Sequence, residues 1–183
     1  MDKANEAAQK RHNISGLCIR AAAEADLPAI AAIMNHYRQH TNHIWDRTAV
    51  SQDDARLWLD EHLQPPYTAI VAELSGSLAG YASLSQFRSF RGYDVTAENS
   101  IYLAPGMEGR GIGAALMKEL LLHARQNGLK AVTAWIDSNN TNSVCFHEKF
   151  GFRYCGVMER VGILDGQLTS VIIMVLNIGD SEE

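Results

Sequence analysis

Glu108-Gly109-Arg110-Gly111-Ile112-Gly113-Ala114 follows a strand-like run, Ser100-Ile101-Tyr102-Leu103, across the short loop Ala104-Pro105-Gly106-Met107, and opens a long amphipathic segment. Glycines at alternate positions give the backbone access to dihedrals closed to residues with a Cβ, so that several N–H groups converge on one anion at a helix N-terminus. The stretch is therefore predicted to hold a phosphate. A P-loop would need Gly-Lys-Ser/Thr after the glycines, which Ile112-Gly113-Ala114 does not supply. Gly109, Gly111 and Ala114 do satisfy G-x-G-x-x-G/A, and Asp137 ends a later strand where a ribose-binding acid would sit. A dinucleotide fold, however, turns almost directly from strand to helix, whereas Ala104 to Met107 intervene here, and only one βαβ unit can be traced around the loop.

The periodicity on either side supplies the rest of the architecture. Leu17 to Arg20 reads as a short strand, followed by a helix from about Ala25 to Tyr37 whose Leu27, Ile30, Ile33 and Met34 recur at helical spacing. Ser51-Gln52-Asp53-Asp54 resembles a capping box and opens a second helix, stopped by Pro65-Pro66. Tyr67 to Glu73 and Leu78 to Leu84 form a hairpin, and Thr96 to Leu103 a third strand of the run. After the glycine loop, Ile112, Leu116, Leu120 and Ala124 make an apolar helical stripe that Asn127-Gly128 terminates. Ala131 to Ile136 is a buried strand and Asn140 to Phe150 a helix. Phe152 to Glu159 and Leu168 to Leu176 then close as an antiparallel pair around Asp165-Gly166. The order β α α β β β α β α β β places only the strands flanking the Gly111 helix in parallel. The predicted class is α/β, a mixed and mostly antiparallel sheet with helices on both faces.

At 183 residues the chain is long enough for one sizeable core, expected over residues 17–178 between a loose polar tail, 1–16, and an acidic tail, 179–183. A net charge of −5 without a basic stripe excludes the electrostatic footprint of a nucleic-acid binder. The N-terminal residues contain no apolar run, which argues against a signal peptide or a membrane anchor. Cys18, Cys145 and Cys155 are odd in number and lack a C-x-x-C, so neither a disulfide framework nor a structural zinc site is expected, and a reducing cytoplasm fits. His36, His40 and His43 have no acidic or thiol partner at ligand spacing. They read as a solvated helix end, and no metal is expected.

Several separated motifs occur in a telling order. They are Gly80-Tyr81-Ala82-Ser83-Leu84, Phe87-Arg88-Ser89-Phe90, Glu98-Asn99-Ser100-Ile101-Tyr102-Leu103, the glycine loop, Asn140-Thr141-Asn142-Ser143 and His147-Glu148-Lys149-Phe150-Gly151-Phe152. Together they resemble the GNAT superfamily of acyl-CoA-dependent N-acyltransferases, from Ile19 to about Ile178. More narrowly they resemble its phosphinothricin and methionine sulfone/sulfoximine acetyltransferase branch. The resemblance implies the GNAT fold, acetyl-CoA as co-substrate, a small amino-acid-like amine as acceptor, and a cytoplasmic homodimer. It implies that backbone groups of Ile101, Tyr102 and Leu103 pair with the pantetheine arm, and that Asn140 and Ser143 touch the same arm. The pyrophosphate would sit on Gly109, Arg110, Gly111, Ile112, Gly113 and Ala114. On the acceptor side it implies Arg88, Ser89, Phe90 and Arg91 in a substrate loop, with Glu98, Asn99 and Trp45 beside it. Trp58 and Trp135 are read as core.

An amine attacks a thioester only when unprotonated, and a base within reach accelerates transfer by roughly 10² to 10⁴. Glu98, which matches the acid of the resembled branch, is the candidate base. His147 stands where many GNAT enzymes carry an acid for the leaving thiolate, and both a catalytic and a structural histidine are open at this level. The chain departs from the family pattern at Glu108, a negative residue beside an anion site, and at Leu164-Asp165-Gly166-Gln167-Leu168-Thr169-Ser170, whose composition differs from the usual closing hairpin. Two functions of different class follow: an acetyl-CoA-dependent N-acetyltransferase, or a catalytically silent module that senses acyl-CoA.

Overall fold

The structure, a computed structural model, describes residues 14–178. Its elements are β1 (Leu17–Ala21), α1 (Leu27–His40), α2 (Gln52–Glu61), β2 (Thr68–Leu74), β3 (Ser77–Gln86), β4 (Thr96–Leu103), α3 (Ile112–Gln126), β5 (Ala131–Asp137), α4 (Thr141–Glu148), β6 (Arg153–Leu164) and β7 (Gln167–Asn177). They build one seven-stranded sheet in the order β1-β2-β3-β4-β5-β7-β6. Every neighbouring pair is antiparallel except β4 and β5. No helix among the described residues is long and apolar enough to cross a membrane.

Local chemistry sets the element ends. Ser51 Oγ accepts from the Asp54 amide at 3.1 Å while Asp54 accepts from the Ser51 amide at 2.9 Å, a reciprocal cap that starts α2. Ser75 and Gly76, with φ of 52° and 82°, make the two-residue turn between β2 and β3, and Asp165 and Gly166, at 50° and 78°, make the one between β6 and β7. Both have the positive dihedrals that match the twist of a hairpin. α1 follows a short 3₁₀ turn at Glu24–Asp26, where the Arg20 guanidinium grips Asp26 with two bonds of 2.7 and 2.8 Å.

Strand alternation divides the core in two. Ala82, Leu84, Ala97, Val132 and Ala134 pack with Leu116, Met117 and Leu120 of α3 on one face. On the other, Val71 and Tyr81 pack with Ile30, Ile33 and Leu59 of α1 and α2. Within β4 the odd residues therefore face α3, and Glu98, Ser100 and Tyr102 face α1 and α2.

The sheet is forked at its centre. β4 pairs with β5 only through Thr96↔Ala131, Ala97↔Val132 and Glu98↔Thr133. Beyond that point β4 stays with β3 as far as Leu103, and β5 stays with β7 as far as Asp137, so the two inner edges diverge.

Some expectations are corrected. The strand expected over 152–159 runs on to Leu164, because irregularities after Tyr154 and Met158, with Arg160 at φ 55°, shift the register past the charged interruption. The helix expected over 140–150 spans Thr141–Glu148. Of the N-terminal tail, residues 1–13 lie outside the described part, as do 179–183. Ile14, expected to be loose, packs against the α3-side core.

Candidate active site

The fork opens a cavity of about 750 Å³ lined on one side by Glu98 to Leu103 of β4 and on the other by Ala134 to Asp137 of β5. The unpaired edge of β4 lies along it, and it ends at Gly109 and Gly113. Gly111 is the N-cap of α3 in the left-handed region, φ 82°, and Gly109 has φ 73°, so these two glycines do what the sequence spacing required of them. Gly113 does not. It lies inside the helix, where an added Cβ would stand 3.7 Å from the Phe146 ring, so its smallness gives clearance rather than an unusual dihedral. The Ile112, Gly113 and Ala114 amides are in the first turn, where a helix has no internal acceptors for its N–H groups, and the dipole adds positive potential. The Ile112 side chain itself is wholly buried in the core, and Arg110 is exposed. Glu108 is exposed and lines the same cavity.

At the vertex of the fork, Asn99 and His147 are both buried. Asn99 Nδ2 donates to the Thr133 carbonyl at 2.8 Å, on the α3 face and away from Glu98. Asn99, expected beside the acceptor substrate, also lines the cavity with Glu98. Asn99 Oδ1 is 3.1 Å from His147 Nε2, and His147 Nδ1 is 2.8 Å from the Ser143 carbonyl. Both partners are acceptors, so a neutral ring satisfies one of them and only the imidazolium donates to both. Burial pulls the His147 pKa below the ordinary histidine value, with the Ser143 carbonyl opposing it. Asn140 caps α4 by accepting from the Ser143 amide at 3.1 Å, and both residues line the cavity.

Glu98 is half-buried on the opposite face. Burial raises its pKa above the ordinary glutamate value, and the Arg88 charge works in the other direction. A carboxylate so placed is a stronger base than one in water. Burial, with the Glu98 charge adding to it, pushes the neighbouring Tyr102 hydroxyl up to about 12, which keeps it a donor. A side chamber of about 210 Å³ opens beside Ser100 and Tyr102, walled by Met34, Val50, Trp58 and Ser83.

The expected acceptor loop is only partly at the site. Arg88 is exposed and stacks 4.6 Å from the Phe87 ring centroid and 4.9 Å from that of Trp135. Ser89, Phe90 and Arg91 are exposed and do not line the cavity, Phe90 being 75% accessible. Trp45 is behind the wall rather than on it. Its Nε1 donates to Asp137 Oδ2 at 2.7 Å, Thr169 Oγ1 donates to the same oxygen at 3.0 Å, and Gly162 leaves room for its ring. Arg47 grips Asp165 at 2.6 and 3.1 Å. The unusual closing hairpin thus latches the loop that carries His43 and Ile44, both of which line the cavity. Desolvation raises Asp137, but the Asn139 amide, Trp45 and Thr169 outweigh it, and its pKa falls. Trp135, read as core, lines the cavity instead. It was missed because a lone tryptophan in an apolar strand has the same pattern on either side of a fork. Among the described residues no group of three or more His, Cys, Asp or Glu is placed to hold a metal ion.

A sheet forked between two parallel strands, with a helix N-terminus at the mouth, suits an extended diphosphate-bearing ligand, and residues 30–152 match the Acetyltransferase (GNAT) family. The chain belongs to that family. It is thereby an N-acetyltransferase rather than a silent binding module. It is 36% identical over 161 residues, 87% of this chain and 94% of the relative, to an L-methionine sulfoximine/L-methionine sulfone acetyltransferase of Pseudomonas aeruginosa. It is 34% identical to the L-amino acid N-acyltransferase MnaT of Escherichia coli, covering 91% of this chain and 97% of that one. A Salmonella typhimurium acetyltransferase solved with acetyl-CoA superposes with a TM-score of 0.86 at 33% identity, covering 92% and 98% of the two chains.

Proposed function

We propose that this enzyme transfers the acetyl group of acetyl-CoA directly to the α-amine of a small amino acid of the methionine sulfone, methionine sulfoximine or phosphinothricin type, with both substrates bound at once. The observation that carries it is Glu98 at the last paired position of the β4–β5 fork, half-buried and with a raised pKa. Thioester and amine would meet there from opposite faces of the sheet. The thioester supplies an acyl carbon already activated toward a neutral amine. The β4 edge, Ile101 to Leu103, offers backbone groups to the pantetheine arm, and the amides of the glycine loop and first α3 turn receive the pyrophosphate, with Arg110 adding charge. Asn140 and Ser143 border the arm.

Glu98 accepts the proton of the attacking amine, directly or through one water. His147 lines the cavity, and because burial lowers its pKa its imidazolium is a stronger acid than one in water; it returns a proton to the departing sulfur. Arg88 faces the carboxylate of the acceptor, and the chamber beside Tyr102 takes its side chain. A reducing cytoplasm fits the cysteine pattern, and a homodimer fits the exposed apolar residues of β6, Val157, Met158, Val161 and Ile163. The test is thiol release from acetyl-CoA with a panel of methionine sulfone, methionine sulfoximine, phosphinothricin and polyamines. Turnover on the amino acids and none on polyamines is expected; the reverse pattern overturns the assignment.

A further inference from the structure

Trp135 lies on β5 two residues beyond Thr133, the partner of Glu98, and strand alternation puts it on the Glu98 face of the sheet. It lines the large cavity, and the Arg88 guanidinium stacks against its ring. Among the described residues, its indole Nε1 is the buried side-chain polar atom without a hydrogen-bond partner. Native proteins leave few such donors unpaired, because each forfeits its bond to water. At the wall of a substrate cavity the economical explanation is a partner that arrives with the ligand, reaching the N–H as the exposed Arg88 side chain stacked on the ring shifts.

The ligand's chemistry follows from what flanks the indole. Arg88 supplies a positive charge with several N–H groups, and the indole supplies one directional neutral donor. A carboxylate has two oxygens and lone pairs enough for both. In an α-amino acid the carboxylate sits on the same carbon as the amine, so an amine held at Glu98 brings its carboxylate to the Arg88 side of that residue. We infer that Trp135 is a specificity-determining residue whose indole N–H, together with Arg88, receives the α-carboxylate of the acceptor and so selects amino acids over simple amines. This rests on the amino-acid reading above. A site built to hydrogen-bond one group discriminates strongly against the analogue lacking it, because its donors are then left bare.

Trp135→Phe removes the N–H and keeps an aromatic ring under Arg88. With methionine sulfone as acceptor, KM should rise about fivefold or more while kcat stays within about twofold. With the amine that remains when the carboxylate is removed, kcat/KM should be the same for wild type and variant within about twofold. In ¹⁵N-labelled wild type, the Trp135 indole resonance should move on adding methionine sulfone and stay put with the decarboxylated amine. That resonance is assigned from the variant, or by through-bond correlation should the variant not fold. Equal losses on both amines, or a stationary resonance, overturn the inference alone. A wild type that binds acetyl-CoA and acetylates no amino acid overturns the functional reading and this inference together.

Discussion

Gly162→Ala tests whether the closing hairpin shapes the acceptor side of the site. A Cβ at Gly162 would stand 2.5 Å from two carbons of the Trp45 ring. Carbon atoms rest about 3.5 to 4.0 Å apart, so the ring must retreat by about 1 Å or more. Trp45 Nε1 is held 2.7 Å from Asp137 Oδ2, and a displacement of that size takes it outside bonding range. Overpacking costs about 1–3 kcal/mol, and losing a bond to a charged group about 1.5–3 kcal/mol. Partial relaxation makes about 2–4 kcal/mol a fair total, a fall in Tm of about 5–15 °C for a chain of this size. Because the displaced loop carries His43 and Ile44, KM for the acceptor should rise while KM for acetyl-CoA holds. Thermal unfolding and steady-state kinetics read both effects. Trp45→Leu removes the clashing ring, so Gly162→Ala should cost much less in that background, and the double-mutant cycle isolates the contact. A Gly162→Ala protein with Tm within about 2 °C of wild type and unchanged acceptor KM refutes the latch.

Glu108→Gln removes a negative side chain from the cavity mouth where the diphosphate would sit, and should tighten acetyl-CoA binding about two- to fivefold at low salt, with the gain shrinking as salt rises. Calorimetric titration at two ionic strengths checks it; unchanged or weaker binding contradicts it. Glu98→Gln should raise stability as it lowers activity. The folded-state pKa of Glu98 is raised, so the folded protein holds that proton more tightly than the unfolded chain, and stability falls as pH rises from the ordinary glutamate pKa through the folded one. Above that window the wild type carries the full cost of a half-buried carboxylate, so Glu98→Gln should melt higher than wild type at pH 8 and show no such advantage at pH 4, as followed by circular dichroism.

Most of the glycine-loop side of the candidate site was legible in the sequence, and less of the Glu98 side. Glycine spacing, the strand before it and the apolar stripe from Ile112 to Ala124 depend on local backbone chemistry, which short-range patterns record. The capping box at Ser51 and the Asp165-Gly166 turn are local in the same sense. The fork between β4 and β5 is different. No residue of β4 announces that Glu98 is its last paired position, since the divergence arises where β7 claims β5 and β3 claims β4. That is why Trp135 read as core, and why the buried bond of Asn99 to the Thr133 carbonyl left no trace in the sequence. Trp45 bonds an aspartate 92 positions away, a tie that neither periodicity nor spacing can record. Arg160 breaks the alternation of β6 with a positive φ, which made a long strand read as a short one.

If Glu98 takes the proton of the acceptor amine, the pH dependence of kcat/KM must differ between wild type and Glu98→Gln. Burial should place the wild-type acid limb above the ordinary glutamate range. The variant should lose at least about tenfold in rate at neutral pH and keep only the limb belonging to the amine itself. Turnover that is unchanged in Glu98→Gln, with the same acid limb, would contradict the account.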